Sequence, residues 1–307
     1  MRPLACIIAA GMLAASAFAV HAATPAYGEA FDTLYRIDLA ARTATEVGPA
    51  GTFSGVPIGN ISGLTTLRDG SQYAISGALK LLLQIDPATG HATPVGSLRQ
   101  AGSGDGQFAA LDLGMAADCS DALWLVSGTE RRLWKVDRAS GALTDIGDTG
   151  HAITGLVAHA GVLYGSGSRE DHTLYRIDTA TGAATAIGPF GADAPAALNS
   201  VSMGFAADGT LYAVLNYVPP ASGGVTPDWS DLATIDPATG HLTRLGPITG
   251  PDALRQVGMK GFTTGPLACG GVPSAPMAAP IGSPWALGLL ALLLAGGAWT
   301  QRGRLRA

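Results

Sequence analysis

The feature that most constrains this chain is a phrase it repeats five times. Its fullest form runs Leu174-Tyr175-Arg176-Ile177-Asp178-Thr179-Ala180-Thr181-Gly182 and closes at Ile187-Gly188. The first copy is Leu34-Tyr35-Arg36-Ile37-Asp38, closing at Val47-Gly48, and the second is Leu82-Leu83-Gln84-Ile85-Asp86 with Pro87-Ala88-Thr89-Gly90, closing at Val95-Gly96. The third is Leu133-Trp134-Lys135-Val136-Asp137, closing at Ile146-Gly147, and the fifth is Leu232-Ala233-Thr234-Ile235-Asp236, closing at Leu245-Gly246. Successive aspartates lie 48, 51, 41 and 58 residues apart. A period of this size marks an array of supersecondary units. Each copy alternates apolar and polar residues, the period of a strand. Asp-Pro-Ala-Thr-Gly supplies hairpin chemistry: a carboxylate that accepts backbone N–H groups, a proline that fixes φ, and a glycine for the positive-φ position. One aspartate at the same place in every unit reads as turn architecture, not as a metal or acid–base array.

A second phrase lies between these hairpins. It appears at Ile61-Ser62-Gly63-Leu64 leading to Tyr73-Ala74-Ile75, and at Leu113-Gly114-Met115 with Leu123-Trp124-Leu125-Val126. It returns at Ile153-Thr154-Gly155-Leu156 with Val162-Leu163-Tyr164, and at Met203-Gly204-Phe205 with Leu211-Tyr212-Ala213-Val214. Each is two more strands, so one unit has four. The fifth unit is split: Val257 to Phe262 supplies its inner strand, while its partners, near Tyr27 and at Leu34–Asp38, stand at the other end of the chain. The expected fold is therefore all-β, a five-bladed β-propeller of four-stranded antiparallel blades closed by N- and C-terminal strands. Glycine in each inner strand fits backbones that crowd around an axis. The blade phrase resembles that of secreted bacterial propellers of the YncE-like and quinoprotein-like groups, over about 240 residues.

The two ends read differently. Residues 1–22 carry Arg2, an apolar run from Leu4 to Val20, and Val20-His21-Ala22, the pattern of a signal peptide cut after Ala22. The propeller is expected over 24–269, followed by a Pro/Ala-rich linker at 270–284. Residues 285–307 then hold an apolar helix and a tail with Arg302, Arg304 and Arg306. Counted from Ile281 to Trp299, the apolar stretch gives roughly 28 Å of helix, enough to span a bilayer. The arginines would hold the C-terminus in the cytoplasm. Pro280-Ile281-Gly282-Ser283-Pro284-Trp285 before this helix resembles the C-terminal sorting signals of Gram-negative bacteria, the PEP-CTERM class and its IPTL-CTERM relatives. That resemblance implies a sortase-like membrane protease as a processing partner. The expected location is the cell envelope or beyond it, with anchoring in the inner membrane before processing.

Charge narrows the partners. The 18 basic groups include four terminal arginines, which leaves 14 against 23 acidic groups in the central region. Such a surface repels phosphate backbones, so nucleic acid is not an expected partner. Past the predicted cleavage site two cysteines remain, Cys119 and Cys269. They are either a disulfide formed in an oxidising compartment or one buried thiol and one thiol in a tail.

If function is written anywhere, it is in the segments that fail to repeat. In a propeller these are the loops joining and crossing blades at one mouth of the central channel. The candidate ligand-binding residues there are Asp105, Arg169, Asp171, His172, Tyr217, Asp228 and Trp229. His91 and His241 follow Thr-Gly in matching turns and read as exposed repeat positions. The histidines show no HxH or HExxH spacing, no Gly-x-Ser-x-Gly elbow occurs, and neither cysteine lies in a reactive-site signature. No catalytic residue, metal site or cofactor is assigned. The favoured reading is a non-enzymatic binding protein for a carbohydrate, peptide or protein partner. The alternative is a hydrolase or lyase with carboxylates at the channel mouth, drawn from Asp105, Asp112, Glu170 and Asp228. A cofactor-dependent quinoprotein ranks third.

Overall fold

The computed structural model describes residues 25–98, 113–167, 169–217, 229–255, 257–267 and 269. The chain divides into two units, Met1–Leu267 and Ala268–Ala307, and of the second only Cys269 is described. The first unit opens with β1 (Ala26–Ala30), β2 (Thr33–Asp38) and β3 (Thr43–Pro49), then a small hairpin of β4 (Thr52–Phe53) and β5 (Val56–Pro57). Blade 2 is β6 (Ile61–Thr66), β7 (Gln72–Ser76), β8 (Leu81–Ile85) and β9 (Ala92–Ser97). Blade 3 is β10 (Leu113–Ala117), β11 (Leu123–Ser127), β12 (Arg132–Val136) and β13 (Leu143–Asp148). Blade 4 is β14 (Ile153–His159), β15 (Val162–Gly167), β16 (Thr173–Ile177) and β17 (Ala184–Pro189). Blade 5 is β18 (Leu198–Phe205), β19 (Leu211–Tyr217), β20 (Asp231–Ile235) and β21 (Leu242–Pro247). The last strand, β22 (Met259–Thr264), pairs antiparallel with β1 and completes blade 1 in the order β22-β1-β2-β3.

The protein is thus an all-β five-bladed propeller of four-stranded antiparallel blades. Tyr27 lies opposite Thr263 and Gly28 opposite Phe262, so the two ends of the described chain share one sheet and no blade edge is left open at the seam. The sequence places this inner strand at 257–262; it begins two residues later. A 3-10 turn at Asp252–Leu254 and a backbone bond from Met259 N–H to the Ser230 hydroxyl set its start.

Two rings of glycine explain why the repeat looks as it does. In the inner ring, a Cβ on Gly63 would crowd Met115 of the next inner strand, one on Gly114 would crowd Thr154, and one on Gly155 would overlap the Val201 carbonyl. Gly204 meets Thr264 and Gly261 meets Leu64 in the same way, so the inner strands close on one another around the axis. Side chains add bonds across this ring: the Ala117 amide donates to the Thr65 hydroxyl at 3.0 Å, the Ser166 hydroxyl to the Val201 carbonyl at 2.8 Å, and the Ser202 hydroxyl to the Lys260 carbonyl at 2.9 Å.

The outer ring uses the glycine that closes each phrase. A Cβ on Gly48, Gly96, Gly147 or Gly188 would overlap the carbonyl of Thr89, Ser140, Thr181 or Thr239, each in the hairpin turn of the following blade. The two recurring pieces of the phrase, the closing glycine and the Thr-Gly or Ser-Gly turn, are therefore two halves of one contact between neighbouring blades. At the seam the pattern changes. Arg42, at φ 54, takes the place that Gly90, Gly141, Gly182 and Gly240 fill with positive φ, and its Nε lies over Gly246.

The turn aspartates do what the sequence implies. Asp38, Asp86, Asp137, Asp178 and Asp236 each accept the backbone N–H two residues on at 2.8–2.9 Å. His91 and His241 are exposed and pack beside Gly51 and Gly191. Between the blades lie the apolar layers, built from side chains of adjacent sheets: Leu34, Ile61, Leu64 and Leu83 between blades 1 and 2, and Leu174, Val201, Met203 and Leu215 between blades 4 and 5.

Candidate functional site

The strand order sorts the loops onto two faces. Turns within the outer hairpins and between first and second strands share one face. The links from second to third strand, and from each blade to the next, share the other. Of the candidate residues predicted from sequence, Arg169, Asp171, His172, Tyr217 and Trp229 belong to this second, connecting face. Asp105 and Asp228 lie outside the described residues, as does Asp112.

Asp171 sits in the link between β15 and β16. It meets His151, from the link between blades 3 and 4, and Tyr175, on β16. The Tyr175 hydroxyl donates to Asp171 Oδ2 at 2.6 Å and lies 3.0 Å from His151 Nδ1; Nδ1 is 3.6 Å from Asp171 Oδ2. Donor–acceptor matching assigns the proton. A tyrosine hydroxyl that gives its hydrogen to a carboxylate can accept only from an N–H, so Nδ1 carries hydrogen. Nε2 has no partner among the described residues, and the imidazole is 43% exposed. Burial and the adjacent Asp171 carboxylate raise the Tyr175 pKa, so Tyr175 stays a neutral donor. The arrangement is an oriented imidazole backed by a carboxylate, able to accept or donate a proton at Nε2 or to hold an anionic or hydroxyl group.

The next groove, between blades 4 and 5, holds a second cluster. Asp231, the first residue of β20, is fully buried, and its Oδ2 accepts from the Tyr217 hydroxyl and from Arg244 Nε. Its Oδ1 is buried with no partner. Burial first, and then the bond to Asp231, raises the pKa of Tyr217 and keeps it protonated. Arg244, on β21, projects from this cluster into a hollow of about 640 Å³ walled by Asp193, Pro195, Leu245 and Pro247. The same two columns of blade 3 hold the pair in reverse, Arg132 with Asp145. There both side chains are exposed, at 39% and 51%, whereas Asp231 is 1% exposed. The column tolerates an ion pair for structural reasons; the burial, the tyrosine and the unused Oδ1 are peculiar to blade 5.

The remaining predicted residues are dispersed along the same rim. Arg169 donates through Nε and Nη2 to Asn199 Oδ1 at 3.3 and 3.1 Å, tying blade 4 to blade 5. His172 lies 6.5 Å from the buried Phe190 ring, with its Nε2 buried and unpartnered. Trp229 faces the Arg255 guanidinium at 5.5 Å. No hydrogen bond or ion pair joins any two of Arg169, Asp171, His172, Tyr217 and Trp229. They belong to the links and strand ends of blades 4 and 5 on this face.

Sequence reasoning did not single out His151, Tyr175, Asn199 or Arg244 as site residues. Arg244 carried little signal, because its column, with Glu46, Pro94, Asp145 and Ala186, does not repeat. Asn199 and His151 carried none, because each acts on a residue 24 to 30 positions away. Among the described residues no group of three or more His, Cys, Asp and Glu side chains is placed to hold a metal ion. Nor is any described helix long and apolar enough to cross a membrane; the expected span lies outside the described residues. Cys119 and Cys269 are both disulfide-bonded.

A family described as a repeat of unknown function (DUF6923) matches residues 67–196, less than half of the chain. The match runs from the end of β6 through blades 3 and 4 to the link before blade 5. No curated protein matches. Among solved structures, the chain is similar to one from a nidogen/laminin complex, with 14% identity and a TM-score of 0.51, covering 80% of this chain and 100% of that one. It is also similar to virginiamycin B lyase from Staphylococcus aureus, at 17% identity and a TM-score of 0.40 over 73% of this chain and 65% of the lyase. A protein of unknown function from Bacteroides thetaiotaomicron gives 15% identity and a TM-score of 0.45, over 71% and 58%. At such identities the first of these likenesses is one of fold.

Proposed function

We propose that the protein is an exported propeller that binds a carbohydrate, peptide or protein partner through its connecting face, at the rim of blades 4 and 5. The observation that carries this reading is the Tyr217–Asp231–Arg244 cluster beside its hollow. A buried aspartate holds an exposed guanidinium in one orientation, which lowers the entropy lost when a ligand binds it. Pro195, Leu245 and Pro247 give apolar contact around it, and Arg169 extends the polar rim. Export is supported by the signal-like residues 1–22 and by two disulfide-bonded cysteines, which suit an oxidising compartment. The apolar stretch and arginine tail of 285–307 support membrane anchoring before a sortase-like protease acts. The test is a binding screen of the full chain against glycans, peptides and cell-envelope fragments, followed by Arg244→Ala and Arg169→Ala. The reading requires at least one ligand whose affinity falls in both variants.

A second reading is favoured by a different observation, the contact of His151 with Asp171. An imidazole oriented through Tyr175 and facing solvent at Nε2 suits a general base, and a hydrolase or lyase would use it so. Here the chemistry would rest on a histidine–carboxylate pair, where the sequence pointed to two carboxylates. Turnover of ester, glycoside and polyuronide substrates by the full chain, lost in His151→Ala and in Asp171→Asn, would establish it; absence of turnover in the wild type removes it.

A further inference from the structure

The turn face carries a larger hollow that no sequence motif announces. It measures about 980 Å³, within the range of small-ligand sites, and lies under blade 1, reaching the neighbouring turns at Pro87-Ala88 and Ala206–Asp208. Its walls include Tyr27, Tyr212, Arg36 and Glu46. All five second strands have an aromatic residue in this column: Tyr27, Tyr73, Trp124, Tyr164 and Tyr212. In blades 3 and 4 a neighbour covers it. Lys135 lies over Trp124 at 5.9 Å, and Phe205 packs against Tyr164 at 5.6 Å. The place of Phe205 is held by Thr66 in blade 2, next to blade 1, and by Thr264 in blade 1, next to blade 5, and the Thr264 hydroxyl donates to the Phe205 carbonyl. Tyr27 and Tyr212 are left half-buried, with no ring or cation partner and no hydrogen bond to their hydroxyls among the described residues. Arg36 and Glu46 are exposed at the same hollow and likewise make no hydrogen bond or ion pair with any described residue.

We infer that this hollow is a saccharide-binding site. Two tyrosine faces match the C–H faces of pyranose rings, and the phenol hydroxyls, guanidinium and carboxylate match their hydroxyl groups in pairs. Charge selects against anions. Arg36 and Glu46 offset each other, and the two further carboxylates in the wall, Asp38 and Asp208, leave it net negative while accepting backbone N–H groups at Ala40 and Thr210. A neutral polyhydroxylated ligand therefore fits where a phosphate would be repelled.

The site is on the face opposite to Arg244 and His151, so its test separates from theirs. The full chain is titrated calorimetrically with cellotetraose, chitotetraose and maltotetraose. At least one binds, Arg36→Ala and Glu46→Gln each weaken it fivefold or more, and Arg176→Ala, at the matching exposed position of blade 4, leaves it unchanged. Both variants at the hollow are exposed and keep the far-UV circular dichroism of the wild type. Three outcomes overturn the inference: none of the three sugars binds, binding persists unchanged in Arg36→Ala and Glu46→Gln, or binding is weakened as much in Arg176→Ala.

Discussion

Glu29 is fully buried on β1, and both its carboxyl oxygens lack partners. The other second strands put Ile75, Val126, Ser166 and Val214 in this column, each opposite the leucine of the repeat. Burial, with a smaller contribution from Asp32, pushes the Glu29 pKa up to about 8 from 4.5. Between these values the folded chain holds a proton that the unfolded chain has released. Stability therefore falls as pH rises from about 4.5 to about 8, with a limiting slope of about 1.4 kcal/mol per pH unit. Urea titrations at pH 5 and pH 8 should show this loss in the wild type and a clearly smaller one in Glu29→Gln; equal losses would remove Glu29 as the cause. Gly147 is constrained differently, by the Thr181 carbonyl of the next blade. Gly147→Ala is expected to cost about 1–3 kcal/mol in the same assay, the usual penalty for overpacking. A change within about 0.5 kcal/mol would mean that the blades slide apart freely.

The outer hairpin is the element the sequence specified most completely. Its Asp, Pro and Gly positions each have a local job, and local chemistry repeats with the unit. Backbone and side-chain bonds hold the carboxyls of Asp86, Asp137, Asp178 and Asp236 below their ordinary pKa. Depressed carboxylates contribute stability above their unfolded pKa, about 3.9, and lose it as pH falls through the folded value. The thermal midpoint should therefore drop on acidification below about pH 4, and drop less when all four are Asn, which keeps the oxygen acceptor but cannot titrate. An identical acid profile in the fourfold variant would assign the acid lability elsewhere. The contact between a closing glycine and the next blade's turn was less legible. Both halves recur in the sequence, but only the strong twist of the blades brings residues some 35 to 50 positions apart together.

At the scale of the whole molecule, five phrases and one split unit were enough to give the blade count and the seam between β22 and β1. The rim was only partly legible, for a physical reason. Asp171, Arg169 and Tyr217 are visible as departures from the repeat, but what they touch depends on which links the ring brings side by side. His151 reaches Tyr175 across the groove between blades 3 and 4, and Asn199 reaches Arg169 from blade 5. No local pattern encodes such pairs. The account as a whole separates residues that build the ring from residues that face a partner. Its most direct test is the affinity of the full chain for a ligand from the glycan, peptide and envelope screen whose binding is unaffected by Arg36→Ala, measured for wild type and Arg244→Ala alongside Asp178→Asn. The account predicts at least a tenfold loss in Arg244→Ala and none in Asp178→Asn; unchanged affinity in Arg244→Ala would contradict it.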